Sequence, residues 1–301
     1  MIPLAFDRVR GTERALFLEA PHVRARITAH EAGWRVLVHL RPEDAEKQGP
    51  AAEPGPPRPL RFANGRVQAE GLPPLALTPR PFTLALGFLG PIAFFARPRE
   101  AWRGFPGLEE ALPPAEGHPY AGGLALAFPE VPGRRHFGLG ERTGFLDKKG
   151  RRYTFWNTDE TEHTEATDRL YQSQPFLLLS QGSEALGLAL DESWPLVFDL
   201  AQSDPERTSL FSPGPTLDLY LLPGPTPAEV TGRLAALFGR PPLPPRWALG
   251  YHQSRYGYQT QAEVLAVAEA FAAHGIPLSA LWLDIDYLDG YRVFTVDRHR
   301  F

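Results

Sequence analysis

The sequence predicts a mainly β protein whose carboxy-terminal part opens a parallel α/β sheet. Short apolar runs, several alternating with period two, fill residues 1–225 between clusters of proline and glycine. At Thr226 the period changes to that of a helix. Arg246 to Phe301 then read as a strand, an amphipathic helix and a second strand, and strand–helix–strand with short turns requires parallel pairing.

In chain order, the first strands expected are Ala25 to Ala29, Trp34 to Leu40 and Thr83 to Gly87, followed by Gly123 to Phe128, Pro175 to Ser180 and Leu217 to Leu222. Gln48 to Pro59 is so rich in proline that neither a helix nor a central strand can run through it, so a surface loop is expected. No fixed period repeats, which argues against a propeller or solenoid. Thr226 is placed to cap a helix, with Pro227 in its first position, Glu229 in its first turn, Val230, Leu234, Leu237 and Phe238 on one face, and Gly239 as its stop. Pro241 to Pro245 form a stiff spacer. The expected organisation is therefore 1–225 as a β region, 226–245 as a connecting helix and spacer, and 246–301 as the start of an α/β domain. Within the last, Trp247 to Tyr251 is the first strand, Gln261 to His274 a helix closed by Gly275, and Ile276 to Asp286 the second strand. The apolar run Ala280 to Leu283 fits a strand covered on both faces.

A hydrophobic fraction of 43%, a charged fraction of 22% and a net charge of -4 describe an ordinary soluble protein with no basic surplus for nucleic acid. The longest apolar stretch, Leu84 to Ala96, contains Pro91 and is too short to span a bilayer, and the first ten residues lack the apolar core of a signal peptide. A cytoplasmic location is the default. With 0 cysteines, disulfides and thiolate metal sites are excluded. Thirty-three prolines, a single methionine and a strong preference for arginine over lysine fit either a thermostable protein or a GC-rich genome.

Candidate chemistry concentrates in Asp284, Asp286 and Asp289. On a strand, Asp284 and Asp286 would share one face and lie at its C-terminal end, where α/β sheets and barrels place their sites. Alternatives are a turn cap, ion pairs with Arg292 and Arg298, or a divalent-cation site, the last without a neighbouring histidine to complete it. Tyr251 to Tyr258 interleaves aromatic and hydrogen-bonding side chains, which suits the apolar faces and hydroxyl edges of a sugar as well as ordinary packing.

Arg246 to Tyr258 followed by Leu281 to Thr295 closely resembles the opening of the catalytic barrel of glycoside hydrolase family 31, the α-glucosidase and α-xylosidase family. His136 to Gly144, Trp156 to Asp159 and Leu170 to Phe176 resemble that family's N-terminal sandwich. The resemblance implies a galactose mutarotase-like β-sandwich followed by the first βαβ unit of a (β/α)8 TIM barrel. It also implies substrate-binding roles for Asp284, which would hold hydroxyls of the cleaved sugar, for Ile285 in the pocket wall, and for Asp159 on a sandwich loop. Tyr256 stands where many members have tryptophan, which keeps an aromatic wall.

Retaining hydrolysis of a terminal α-linked glucose is the reaction implied, with a nucleophile and an acid/base carboxyl about 5–5.5 Å apart. Both belong to later barrel strands, and the Trp-x-Asp-Met-Asn type of segment that carries the nucleophile does not occur in the sequence. No catalytic residue is therefore assigned. Because a whole barrel takes about 250 residues, the chain is expected to be the amino-terminal portion of a longer polypeptide, inactive alone. The partners implied are an α-linked oligosaccharide and the remainder of the barrel, with no nucleic acid, membrane, metal or cofactor; a homo-oligomer is left open. The alternatives are a non-catalytic carbohydrate-binding sandwich, or an α-xylosidase or glucan lyase of the same family.

Overall fold

A computed structural model describes residues 1–40, 51–98, 102 and 122–301. The chain divides into two compact units, Met1–Arg240 and Pro241–Phe301.

The first unit is built from two antiparallel sheets. One orders Arg152–Phe155, Leu196–Leu200, Arg207–Ser212, Leu124–Pro129, Pro91–Ala96, Phe82–Ala85, Leu75–Pro79, Arg66–Ala69 and Leu60–Ala63, with Ile2–Pro3 also on the Pro91 strand. The other orders Arg135–Gly138, Phe176–Gln181, Glu184–Leu190, Thr216–Gly224, Trp34–His39, Val23–Ala29, Leu16–Ala20 and Arg8–Gly11. The six strands expected in this region all form, shifted at their ends by a residue or two. The apolar stretch Leu84 to Ala96 resolves into parts of two paired strands, and no helix among the described residues is long and apolar enough to cross a membrane. The loop expected over Gln48 to Pro59 lies partly outside the described residues; in its described part Ala51 and Ala52 donate backbone N–H bonds to the buried Asp191.

Alternation sends each strand into two environments. Leu217, Leu219 and Leu221 face the core between the sheets, together with Ile27, Trp34, Val36, Phe82, Phe94 and Phe198. Phe82 anchors part of it, with ring centroids 4.6 Å from Phe94 and 5.0 Å from Phe6. Tyr220 and Leu222, from the same strand as Leu219 and Leu221, face a second cluster with Ala185, Ala189, Val230 and Leu237. A period of two thus splits one strand between two cores.

The second cluster exists because helix Pro227–Phe238 lies on the outer face of the sheet. Thr226 caps it by accepting the Glu229 N–H at 3.3 Å, and Gly239 ends it. Val230 and Leu237 are fully buried, while Phe238 is exposed. Close approach needs Gly187, where a Cβ would stand 2.7 Å from Val230 Cγ1, and Gly224, where it would stand 2.8 Å from Cγ2. The helix expected as a connector is packed onto the first unit.

The second unit pairs His252–Ser254 with Ala280–Trp282 in parallel and connects them through helix Gln261–Ala273. The expected βαβ order holds, but both strands differ from expectation. Arg246–Leu249 turns as a 3-10 helix, so the first strand starts at His252 instead of Trp247. The second strand begins at Ala280, four residues after Ile276, because Pro277 has no N–H to donate and only three residues of the partner strand are available for pairing. It ends at Trp282, so Asp284 and Asp286 do not share a strand face. The burial expected of Ala280 to Leu283 is not met either: Trp282 is 52% and Leu283 39% exposed, since two strands and one helix leave most of such a sheet uncovered.

Candidate functional site

The C-terminal ends of the two parallel strands lead into two loops that meet at a buried carboxylate. Asp286, 6% exposed, accepts from Gln259 Nε2 at 2.6 Å and from the Tyr291 hydroxyl at 3.1 Å. The loop after the first strand can come this close because residue 257 is glycine: its φ is +81°, and a Cβ there would lie 2.2 Å from Asp286 Oδ2. The bond to Asp286 raises the Tyr291 hydroxyl above the usual tyrosine range. Asp286 therefore ties the loops together, a role that its spacing from Asp284 did not reveal; Gly257 and Gln259 were the readable signal.

Asp284 is the exposed member of the pair. Its Oδ1 accepts the Ile285 N–H at 2.8 Å, capping the 3-10 turn Ile285–Tyr287 that follows the strand. Ile285 and Tyr256 are 46% and 75% exposed. Tyr258, two residues on in the same aromatic segment, is buried and packs under Arg255, whose guanidinium lies 5.5 Å from its ring. The segment thus contains both a packed ring and an exposed one. Of the sequence alternatives for Asp284 and Asp286, the turn cap is met by Asp284, whereas Arg292 pairs with Asp289 instead of with either of them. Among the described residues no group of three or more His, Cys, Asp or Glu side chains is arranged to hold a metal ion.

Beside these loops Trp282 Nε1 donates to His252 Nδ1 at 3.1 Å, which fixes the His252 proton on Nε2, facing the Trp247 carbonyl at 3.3 Å. Trp247 stacks on the His252 ring with centroids 5.8 Å apart and planes 17° apart. These rings buttress the strand ends.

Asp159 belongs to the first unit and is exposed on the loop that follows strand Arg152–Phe155. Three separated sequence segments build that loop's support. Thr158 N–H donates to the Leu170 carbonyl at 3.0 Å, Ser173 donates to Asn157 Oδ1, and Thr143 donates to the Thr167 carbonyl at 2.7 Å. Arg142 donates to the Asp168 carbonyl and lies 4.4 Å from the Phe155 ring; burial lowers its pKa. Gly140 makes room for Gln174, whose Oε1 would stand 2.5 Å from a Cβ there. At the loop's edge the Tyr171 hydroxyl shares its one hydrogen between the Asp159 carboxylate, which raises its pKa, and the Glu160 carbonyl at 2.6 Å. The segments 136–144, 156–159 and 170–176 are one scaffold in space.

Residues 24–199 match the glycosyl hydrolase 31 N-terminal galactose mutarotase-like domain, and residues 241–301 match the glycosyl hydrolases family 31 TIM-barrel domain. The chain belongs to glycosyl hydrolase family 31. This family 31 chain is 46% identical over 166 residues to alpha-glucosidase 2 of Bacillus thermoamyloliquefaciens, covering 55% of the chain and 21% of that protein. It is 31% identical over 288 residues to an alpha-glucosidase of Hordeum vulgare, covering 93% of the chain and 30% of that protein. Among solved structures, the Flavobacterium johnsoniae GH31 dextranase superposes with a TM-score of 0.74 at 19% identity, over 95% of this chain and 34% of that one. The glucosidase II alpha subunit gives 0.71 at 18% identity, over 97% and 40%. These likenesses carry the fold: a mutarotase-like β-sandwich followed by the opening βαβ unit of a family 31 TIM barrel. The matched segments span between a fifth and a third of the lengths of these two alpha-glucosidases.

Proposed function

We propose that this family 31 chain is the amino-terminal part of a retaining α-glycosidase that removes terminal α-linked glucose from oligosaccharides. The observation that carries the reading is the exposed Asp284–Ile285 corner immediately after the second parallel strand, inside the segment matched to the family's barrel. Sites of such barrels form at the C-terminal ends of the strands. The alpha-glucosidase relatives support glucose as the sugar.

In this reading Asp284 Oδ2 accepts hydrogen bonds from the hydroxyls of the cleaved sugar while Oδ1 stays on the Ile285 N–H, so the carboxylate is oriented before substrate arrives. Ile285 offers hydrocarbon to the pyranose face, Tyr256 supplies an aromatic wall, and Asp159 contributes from the sandwich loop. The covalent chemistry is assigned to further barrel strands, because none of the carboxylates above belongs to a Trp-x-Asp-Met-Asn segment. Those strands would cover the apolar side chains that the second unit exposes, among them Trp282, Leu283 and Phe294.

The test is turnover of a nitrophenyl α-glucoside. The purified 301-residue chain is expected to give none, and a polypeptide extended through the remaining barrel strands is expected to hydrolyse it faster than the corresponding α-xyloside. Turnover by the 301-residue chain alone, or an extended enzyme that prefers the xyloside, would overturn the reading.

A further inference from the structure

A cleft of about 310 Å³ opens on the sandwich between the start of the Trp156 loop and the turn after strand Glu184–Leu190. Trp156 and Trp194 stand in its walls, and Asn157, Ser173 and Glu192 contribute polar atoms to its lining. Asp159, Tyr256, Asp284 and Ile285 are not part of it. The volume is at the small end of ligand pockets, enough for one or two sugar rings.

The lining is preorganised. Trp194 sits against Gly214, where a Cβ would approach its ring to 2.5 Å, so the indole is held by backbone. Asn157, in the lining, uses its Oδ1 on Ser173, so its NH2 donors are not spent on that bond. Glu192 accepts the Asp218 N–H at 2.8 Å on Oε1 and the Thr216 hydroxyl at 3.1 Å on Oε2. Burial, reinforced by Asp218 and Asp191, pushes its carboxyl up to about 8. At neutral pH it is an acid with an O–H to give, as in sites where a carboxyl is kept protonated to donate a hydrogen bond.

Two indole rings, an amide and an uncharged carboxylic acid, with no lysine or arginine in the lining, fit a ligand with apolar faces, hydroxyl edges and no charge. An anion would find no counter-charge there. We propose that this cleft is a second carbohydrate site that holds a neutral pyranose unit of the substrate chain, separate from the residues assigned to the cleaved sugar. The choice of an α-glucan rests on the proposed glycosidase function; the site itself rests on the cleft.

The groups that act on Glu192 are Asp191 beside it and Asp218 and Thr216 on strand Thr216–Gly224. Arg35 is held on Asp218 at 2.6 Å and Asp191 on the Ala51 and Ala52 N–H groups. Glu192→Gln separates Glu192 from all of them, because it keeps a donor at every pH.

Calorimetric titration of the 301-residue chain with maltotriose tests the site, with circular dichroism checking that each variant is folded. At pH 6 saturable millimolar binding is expected. Two pH units above a pKa of about 8, roughly one Glu192 in a hundred keeps its proton, so affinity at pH 10 should fall by up to about a hundredfold. Glu192→Gln should bind similarly at both pH values. Asn157→Ala, and Ser193→Trp at an exposed lining position, should each weaken binding at least about tenfold at pH 6. Absence of saturable heat at pH 6, or binding indifferent to Ser193→Trp, would overturn the site. Loss in Asp284→Ala with retention in Ser193→Trp would move the binding to the barrel residues and equally overturn it. Failure of the glycosidase reading shows separately, in the turnover assay.

Discussion

Gln259 donates its side-chain N–H to Asp286 at 2.6 Å, joining the loop after the first barrel strand to the loop after the second. With the Tyr291 hydroxyl on its other oxygen, Asp286 is a two-way connector in the interior of the second unit. The neighbouring Asp284, free of that duty, is exposed.

Removing the connector should loosen the loops. Asp286→Ala leaves the Gln259 amide without its partner and is expected to destabilise the second unit by about 1–3 kcal/mol. It should also return the Tyr291 hydroxyl toward the ordinary tyrosine range, because the bond to Asp286 is the largest cause of its rise. Urea unfolding and ultraviolet titration of tyrosine measure the two effects; unchanged tyrosine titration would contradict the assigned contact.

The seat of helix Pro227–Phe238 is a second test. Gly187→Ala places a methyl group 2.7 Å from Val230 Cγ1 and is expected to cost about 1–3 kcal/mol by overpacking. Val230→Ala costs stability by itself through a cavity, yet combined with Gly187→Ala it should recover part of the loss, because the added and deleted methyl groups occupy neighbouring space. A double-mutant cycle by chemical denaturation reads this, and additive losses would argue against the contact.

Stability should fall at both ends of the pH range for different reasons. Burial alone would raise Glu130, but hydrogen bonds from His136, Lys149 and Thr208 bring it down to about 2. A depressed carboxylate stabilises the fold above its unfolded pKa, and that contribution is lost as pH falls from about 4.5 toward 2. Glu192, raised to about 8, works in the opposite sense: the folded state retains a proton that the unfolded chain has released, so stability declines as pH rises from about 4.5 to 8. The decline is expected to be on the order of 3 kcal/mol, discounted because the side chain keeps part of its surface in solvent. Glu192→Gln should remove the decline between about pH 4.5 and 8 and leave the acid limb in place, as measured by urea midpoints across pH.

Much of this architecture was legible because local signals agreed. Alternation in Thr216–Gly224 and Trp34–His39 marked strands, and Thr226, Pro227 and Gly239 bracketed a helix whose ends match. Chemistry-bearing positions were less legible, since their geometry depends on turns instead of periods. Asp284 and Asp286 read as companions on a strand, but the strand stops at Trp282 and a 3-10 turn sends one carboxylate out and the other in. Glu192 carried no sequence signal, because its environment is assembled from Thr216 and Asp218 on another strand.

The exposed carboxylate yields the functional prediction. In a polypeptide carrying the remaining barrel strands, Asp284→Asn preserves an acceptor for the Ile285 N–H and the volume of the side chain, so the 3-10 turn should persist. What changes is charge: a carboxylate binds a sugar hydroxyl with a charge-assisted hydrogen bond, about twice as strong as a neutral one. If that bond tightens as positive charge develops on the sugar, the loss should fall mainly on kcat, with kcat/KM reduced by about 100- to 1,000-fold. Tyr256→Trp restores the bulkier aromatic wall at an exposed position and should change KM more than kcat. Steady-state kinetics on an α-glucoside separate the two: an Asp284→Asn enzyme with unaltered kcat/KM would remove Asp284 from the substrate site, whatever the activity of the whole protein.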